Sequence, residues 1–128
     1  MRIKFARAVT AAVAAGVLGV AALAILVAVL GPGGSFAESM PFAQRLGAWV
    51  GPISGFVFCL LGGWWTAKPT AQGDKLLNGF AMGTAGAVLD IAISLSSGAG
   101  WAALLLISNA GRIIGGTIGG WIAAKRTA

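Results

Sequence analysis

The stretch AVTAAVAAGVLGVAALAILVAVL, residues 8–30, decides what kind of chain this is. It carries no charge, its only hydroxyl is Thr10, and it stops at Gly31-Pro32-Gly33-Gly34. At about 1.5 Å per residue, roughly 20 helical residues cross the ~30 Å hydrocarbon core of a bilayer. Three more stretches of that kind follow, at residues 46–67, 76–97 and 101–124. Their apolar residues run on continuously instead of alternating, so they read as helices and not as barrel strands. The expectation is an all-α polytopic membrane protein, with residues 1–128 forming a single domain of four transmembrane helices.

Composition points the same way. The chain is 58% hydrophobic and 9% charged, with 21 glycines, and its mean hydropathy is +0.91. Soluble domains carry about 25% charged residues, and a water-soluble chain of this length could not bury so much apolar surface. Lipid must therefore act as solvent. The net charge of +6 is spread over segment ends and forms no single basic face, which suits anionic lipid and not nucleic acid. Histidine is absent and Cys59 is the lone cysteine. These facts remove His-built metal or haem sites, His-based proton transfer and any intrachain disulfide. No paired carboxylates, metal-ligand spacing or nucleotide-binding loop is present, so the chain reads as no enzyme, with no cofactor.

Flanking charges set the expected orientation. Arg2, Lys4 and Arg7 precede the first span, Lys68 and Lys75 lie in the second loop, and Lys125 and Arg126 close the chain. The first loop, Gly31 to Gln44, holds Glu38 and is followed by Arg45, and the third loop has no charge. The positive-inside bias places both termini and the second loop in the cytoplasm, in a multi-pass protein of the bacterial inner (cytoplasmic) membrane. A secretory signal cleaved before Glu38 is the rival reading of the N-terminus. The first apolar run is longer than the roughly 7–15 residues of such signals, which favours a retained anchor. Trp49, Trp64, Trp65, Trp101 and Trp121 fall near span ends and read as interfacial anchors.

Gly62-Gly63-Trp64-Trp65-Thr66-Ala67-Lys68 and Gly119-Gly120-Trp121-Ile122-Ala123-Ala124-Lys125 align at an offset of 57 residues. Both close a span moving inward, which raises the idea of two parallel helical hairpins; a shared helix-exit signal explains the echo as well. Small residues recur at four-residue spacing: Gly51 and Gly55, Gly79 and Gly83, then Gly111, Gly115 and Gly119, with Gly116 and Gly120 on a neighbouring stripe. Such stripes let helix backbones approach closely in lipid. The fourth segment reads as the central packing element and the first as peripheral.

Two charges fall inside the apolar segments, Asp90 and Arg112. Antiparallel helices would leave them about 7 Å apart in depth, a gap an arginine side chain can span. Either charge alone in lipid is costly, and intramembrane ions are functional-site candidates by default. Asp90, Ser94, Asn109 and Arg112 form the candidate intramembrane polar network. A register-setting ion pair, a contact with a partner protein and a transport or ion-coupling site are its competing uses. Asn78 and Ser108 carry no special role on this reading.

In length and span number the chain resembles small fluoride channels and small multidrug-resistance transporters. It lacks the early-span glutamate of the latter and the phenylalanine-bearing polar pore of the former. Its Gly-Gly-Trp-Trp-Thr-Ala-Lys exit resembles that of small bacterial membrane proteins, which implies no activity. The leading expectation is an accessory or scaffold subunit that contacts membrane lipids and assembles through its glycine faces, with itself or with a larger membrane complex. The alternative is an oligomeric small-solute or ion channel or transporter using Asp90 and Arg112.

Overall fold

The computed structural model describes residues 3–31, 33, 36–96 and 103–126. The protein is all-α and largely membrane-spanning. Helix α1 covers Phe5–Leu30, α2 Phe36–Ala67, α3 Lys75–Ser96 and α4 Ala103–Arg126, with a 3-10 turn at Gln72–Asp74 leading into α3.

Among the described residues three stretches, not four, are long and apolar enough to cross a membrane: Phe5–Leu30, Glu38–Ala67 and Gln72–Ser96. The expected fourth crossing at 101–124 is therefore corrected. Helix α4 has the length, but Ser108, Asn109, Arg112 and its five glycines take positions that a lipid-spanning helix gives to aliphatic residues. The four-crossing topology, with both termini inside and two parallel hairpins, is corrected with it.

A second correction concerns the first loop. Helix α2 begins at Phe36, ten residues before the expected span, so most of the segment read as a connector from Gly31 to Gln44 is helical. Its polar residues suit a helix start: Glu38 lies in the first turn, where a carboxylate meets the positive end of the helix dipole. Pro41 and Pro52 both lie within α2. Each withdraws one backbone donor, a loss that neighbouring helices and local adjustment tolerate in membrane proteins.

The interior is built from small residues. Ala8, Ala11, Ala12, Cys59 and Met82 form the buried cluster, while Val17, Val20, Ile25, Ile53, Val88, Ile93 and Ile107 are exposed. Helix α4 packs most extensively on α2 and α3, and α1 on α2 and α3. On one stripe of α4, a Cβ at Gly115 would stand 2.5 Å from the Phe56 carbonyl oxygen, and one at Gly119 would strike the Leu60 carbonyl and Trp64 nitrogen. On the other, a Cβ at Gly116 would meet Gly79 and Gly83 of α3 at 2.5–2.8 Å, and one at Gly120 would meet the Lys75 carbonyl oxygen at 2.5 Å. Gly79 and Gly83 meet α4 backbone in return, as does Gly63 of α2. Gly51 and Gly111 have nothing within 4 Å of an added Cβ, and Gly55 faces the Arg112 side chain. These three make no helix-to-helix backbone contact of that kind.

The basic ends of the helices converge. Lys75 is buried, and its ammonium donates to the carbonyls of Ala67 (3.3 Å), Lys68 (2.8 Å) and Thr70 (3.0 Å). It thus satisfies the open C-terminus of α2 with a charge of the favourable sign. Asn78, expected to carry no special role, is fully buried. Its Oδ1 accepts from the Lys4 amide at 2.8 Å and its Nδ2 donates to the Asp74 carbonyl at 2.8 Å, tying the start of α1 to α3. Gln72 Nε2 reaches the Ala124 carbonyl at 2.7 Å, bringing the end of α4 to the same place.

Gly116→Leu is expected to lower stability by about 3 kcal/mol or more, because backbone and not a flexible tip stands in the way. Gly111→Ala should be neutral or stabilising by up to about 1 kcal/mol, from helix propensity in open space. Unfolding of both variants in detergent checks this, and equal effects would contradict the packing described.

Candidate functional site

Asp90 sits on α3 and Arg112 on α4, and the two helices are held together by the backbone contacts at Gly79, Gly83, Gly116 and Gly120. That approach brings Arg112 Nη1 to 3.2 Å from Asp90 Oδ2. The side chains are 17% and 30% exposed, respectively. Asn109 Nδ2 donates to the same Asp90 oxygen at 2.9 Å and to the Leu105 carbonyl at 2.8 Å. Arg112 Nη1 also donates to Ser108 Oγ at 2.8 Å, with Asn109 Oδ1 more distant at 3.4 Å.

The geometry thus brings together Asp90, Asn109 and Arg112. The hydroxyl that joins Arg112 is that of Ser108, expected to carry no special role. Its signal was present: Ser108 stands four residues before Arg112, on the same helix face. Ser94 lies one turn beyond Asp90 on α3 and is half-buried. Cys59 is fully buried beneath this region, packed with Met82 and the alanines of α1.

In a low-dielectric setting the pair neutralises two charges that would otherwise each be costly, and the polar neighbours satisfy further lone pairs and protons. The arrangement joins α3 to α4 through one ion pair and the Asn109–Asp90 hydrogen bond. Among the described residues, no group of three or more His, Cys, Asp or Glu side chains gathers in a way that could hold a metal.

A cavity of about 650 Å³ opens beside the pair, bounded by α1, α2 and α3 and closed at one point by Arg112. Val13, Gly16, Gly51, Ser54, Asp90 and Arg112 are among its walls. The remaining lining is almost wholly apolar.

The tryptophans divide. Trp49, Trp65 and Trp121 are exposed and Trp64 half-buried, while Trp101 lies outside the described residues. Three of them carry a cation over the ring: Arg7 over Trp65 at 3.5 Å, Lys125 over Trp121 at 4.5 Å and Lys68 over Trp64 at 5.0 Å. Arg7 also donates from Nε and Nη2 to the Trp65 carbonyl at 2.9 and 2.7 Å. These rings and cations form a belt at the converged basic ends, remote in sequence from Asp90.

No protein-family model, curated protein or solved structure matches the chain. Its functional reading therefore rests on this geometry.

Arg112→Met, which strands Asp90 without its counter-charge, is expected to cost about 3–5 kcal/mol, whereas the double change Asp90→Leu with Arg112→Met should be close to neutral. A double-mutant cycle on unfolding in detergent reads the coupling. Additive losses would show that the two charges act independently.

Proposed function

We propose that this chain is a non-enzymatic accessory subunit of the bacterial inner membrane, one that assembles with further copies or with a larger membrane complex. The observation that carries this reading is the internal neutralisation of Asp90 by Arg112, with Asn109 and Ser108 as neighbours. Charges paired with each other across two helices of one subunit present no net charge to a solute. The walls of the adjoining cavity carry no polar side chain apart from Ser54, the Cys59 thiol and the pair itself, which favours a structural role over a hydrated conduit.

The outer surface supports the same reading. Val9, Ile25 and Val29 of α1 are exposed, as are Leu106, Ile107 and Ile114 of α4. These residues give a surface for lipid or for another membrane helix, and the basic belt with its tryptophans suits an anionic leaflet. Nucleic acid has no part in this reading.

Purification in mild detergent with native lipid is expected to yield either a homo-oligomer or a defined complex with larger subunits. Asp90→Asn should reduce recovery of that assembly without altering solute permeability of reconstituted vesicles. An ion or solute flux that disappears in Asp90→Asn while the assembly survives would overturn the proposal and establish the transport alternative.

A further inference from the structure

The cavity beside the ion pair has features that the accessory reading does not use. Along the seams of α4 with α2 and α3, Gly63, Gly79, Gly83, Gly115, Gly116, Gly119 and Gly120 are closed over by neighbouring backbone. At Gly16 of α1 and Gly51 of α2 the same residue type leaves open space, with nothing within 4 Å. Helix α1 touches α2 at Gly19, where Ser54 Oγ lies 3.6 Å from an added Cβ, and at Gly47, where Leu23 Cδ2 lies at 3.6 Å. At Gly16 and Gly51 it stands off, before closing again where Ala11 and Ala12 pack near Gly62 and Cys59, and the cavity of about 650 Å³ results. That volume lies within the ~300–1,000 Å³ range of small-molecule sites.

Its lining along α1 runs from Ala12 to Leu23, which straddles the middle of Phe5–Leu30. The cavity therefore lies at the depth of lipid tails and not of charged headgroups. Its polar equipment is confined to one place. Arg112 uses Nη1 for Asp90, Ser108 and Asn109, and its Nε and Nη2 have no partner among the described residues. Asp90 engages through Oδ2, leaving Oδ1 without a partner among those residues. Both side chains line the cavity. Gly55 keeps the guanidinium edge uncovered, since a Cβ there would stand 3.1 Å from Nε and 3.2 Å from Nη2.

We propose that this cavity binds an uncharged lipid of the acylglycerol class, its tail along α1, its carbonyl oxygen on Arg112 Nε and Nη2, and its hydroxyl on Asp90 Oδ1. The charge state of the pair selects this head. Asp90 and Arg112 already sum to zero, so an added anion would leave one uncompensated charge at tail depth, and a cation would do the same with the opposite sign. A neutral head with one donor and one acceptor satisfies both idle edges without that cost. Bare hydrocarbon would fill the volume and leave both edges unmet. The inference goes beyond the accessory role, and its failure would leave the assembly measurement untouched.

The test uses the full chain in phosphatidylcholine vesicles with a monoacylglycerol that carries a photoreactive diazirine in its tail, the adducts being mapped by peptide mass spectrometry. Adducts are expected on cavity residues of α1 and on Ile93, at least tenfold above those on Ile107 and Ile114 of the outer surface. Excess unlabelled monoacylglycerol should remove them, whereas an alkane of equal length, or the matching fatty-acid anion, should not. Gly51→Leu fills open space and should cut labelling at least tenfold with unchanged thermal unfolding. Arg112→Lys keeps the charge but removes the fork, and should cut it likewise. Even labelling of cavity and outer surface, equal competition by the alkane or the anion, or undiminished labelling of Gly51→Leu would each overturn the proposal.

Discussion

Everything in this fold depends on lipid taking the place of water. Large aliphatic side chains have no reason to turn inward when the surroundings are as apolar as they are, and here they turn outward along α1 and the outer faces of α2, α3 and α4. The interior is left to glycine, alanine and a few small or polar residues; the largest fully buried side chains are Met82, Asn78, Thr66 and Cys59. Cohesion must then come from close van der Waals contact between backbones and from hydrogen bonds, since removal of apolar area from water contributes little between helices already in a bilayer.

The ion pair follows from that packing. Asp90 and Arg112 lie on α3 and α4, whose backbones meet at Gly79, Gly83, Gly116 and Gly120, and a bulkier seam would separate the helices and strand both charges. Conversely, a mismatched register would bury Arg112 away from its carboxylate. Glycine contact and charge pairing thus select the same alignment, the consistency between levels that gives a chain one preferred structure. At the converged basic ends, Lys75 on the α2 carbonyls and Asn78 between Lys4 and Asp74 perform the equivalent duty with hydrogen bonds.

Much of this was legible in the residues. Long apolar runs mark the membrane-length helices α1, α2 and α3, and two ions inside apolar segments point to each other. The misreadings share a physical origin. Hydropathy alone made a connector of residues 36–45, because Glu38, Ser39, Gln44 and Arg45 are polar, although they suit a helix start at an interface. Helix α4 was counted as a crossing on its flanks and length, although Ser108, Asn109, Arg112 and its glycines lower its apolar character. Asn78 and Ser108 were passed over because a polar residue's partners depend on tertiary neighbours: Lys4 lies 74 residues from Asn78. The open space at Gly51 and Gly111 was hidden for the same reason, since a glycine stripe shows where helices can meet and not which helix arrives.

Collision accessibility of spin labels, placed one at a time in reconstituted protein with Cys59 as the native reference, tests the outward-apolar arrangement most directly. At Ile25, Ile53 and Val57, all exposed, collisions with dissolved oxygen should be frequent and those with a water-soluble nickel chelate rare, while a label replacing fully buried Met82 should meet neither. Frequent nickel collisions at Ile25, Ile53 and Val57 would contradict the account, because water and not lipid would then surround these faces.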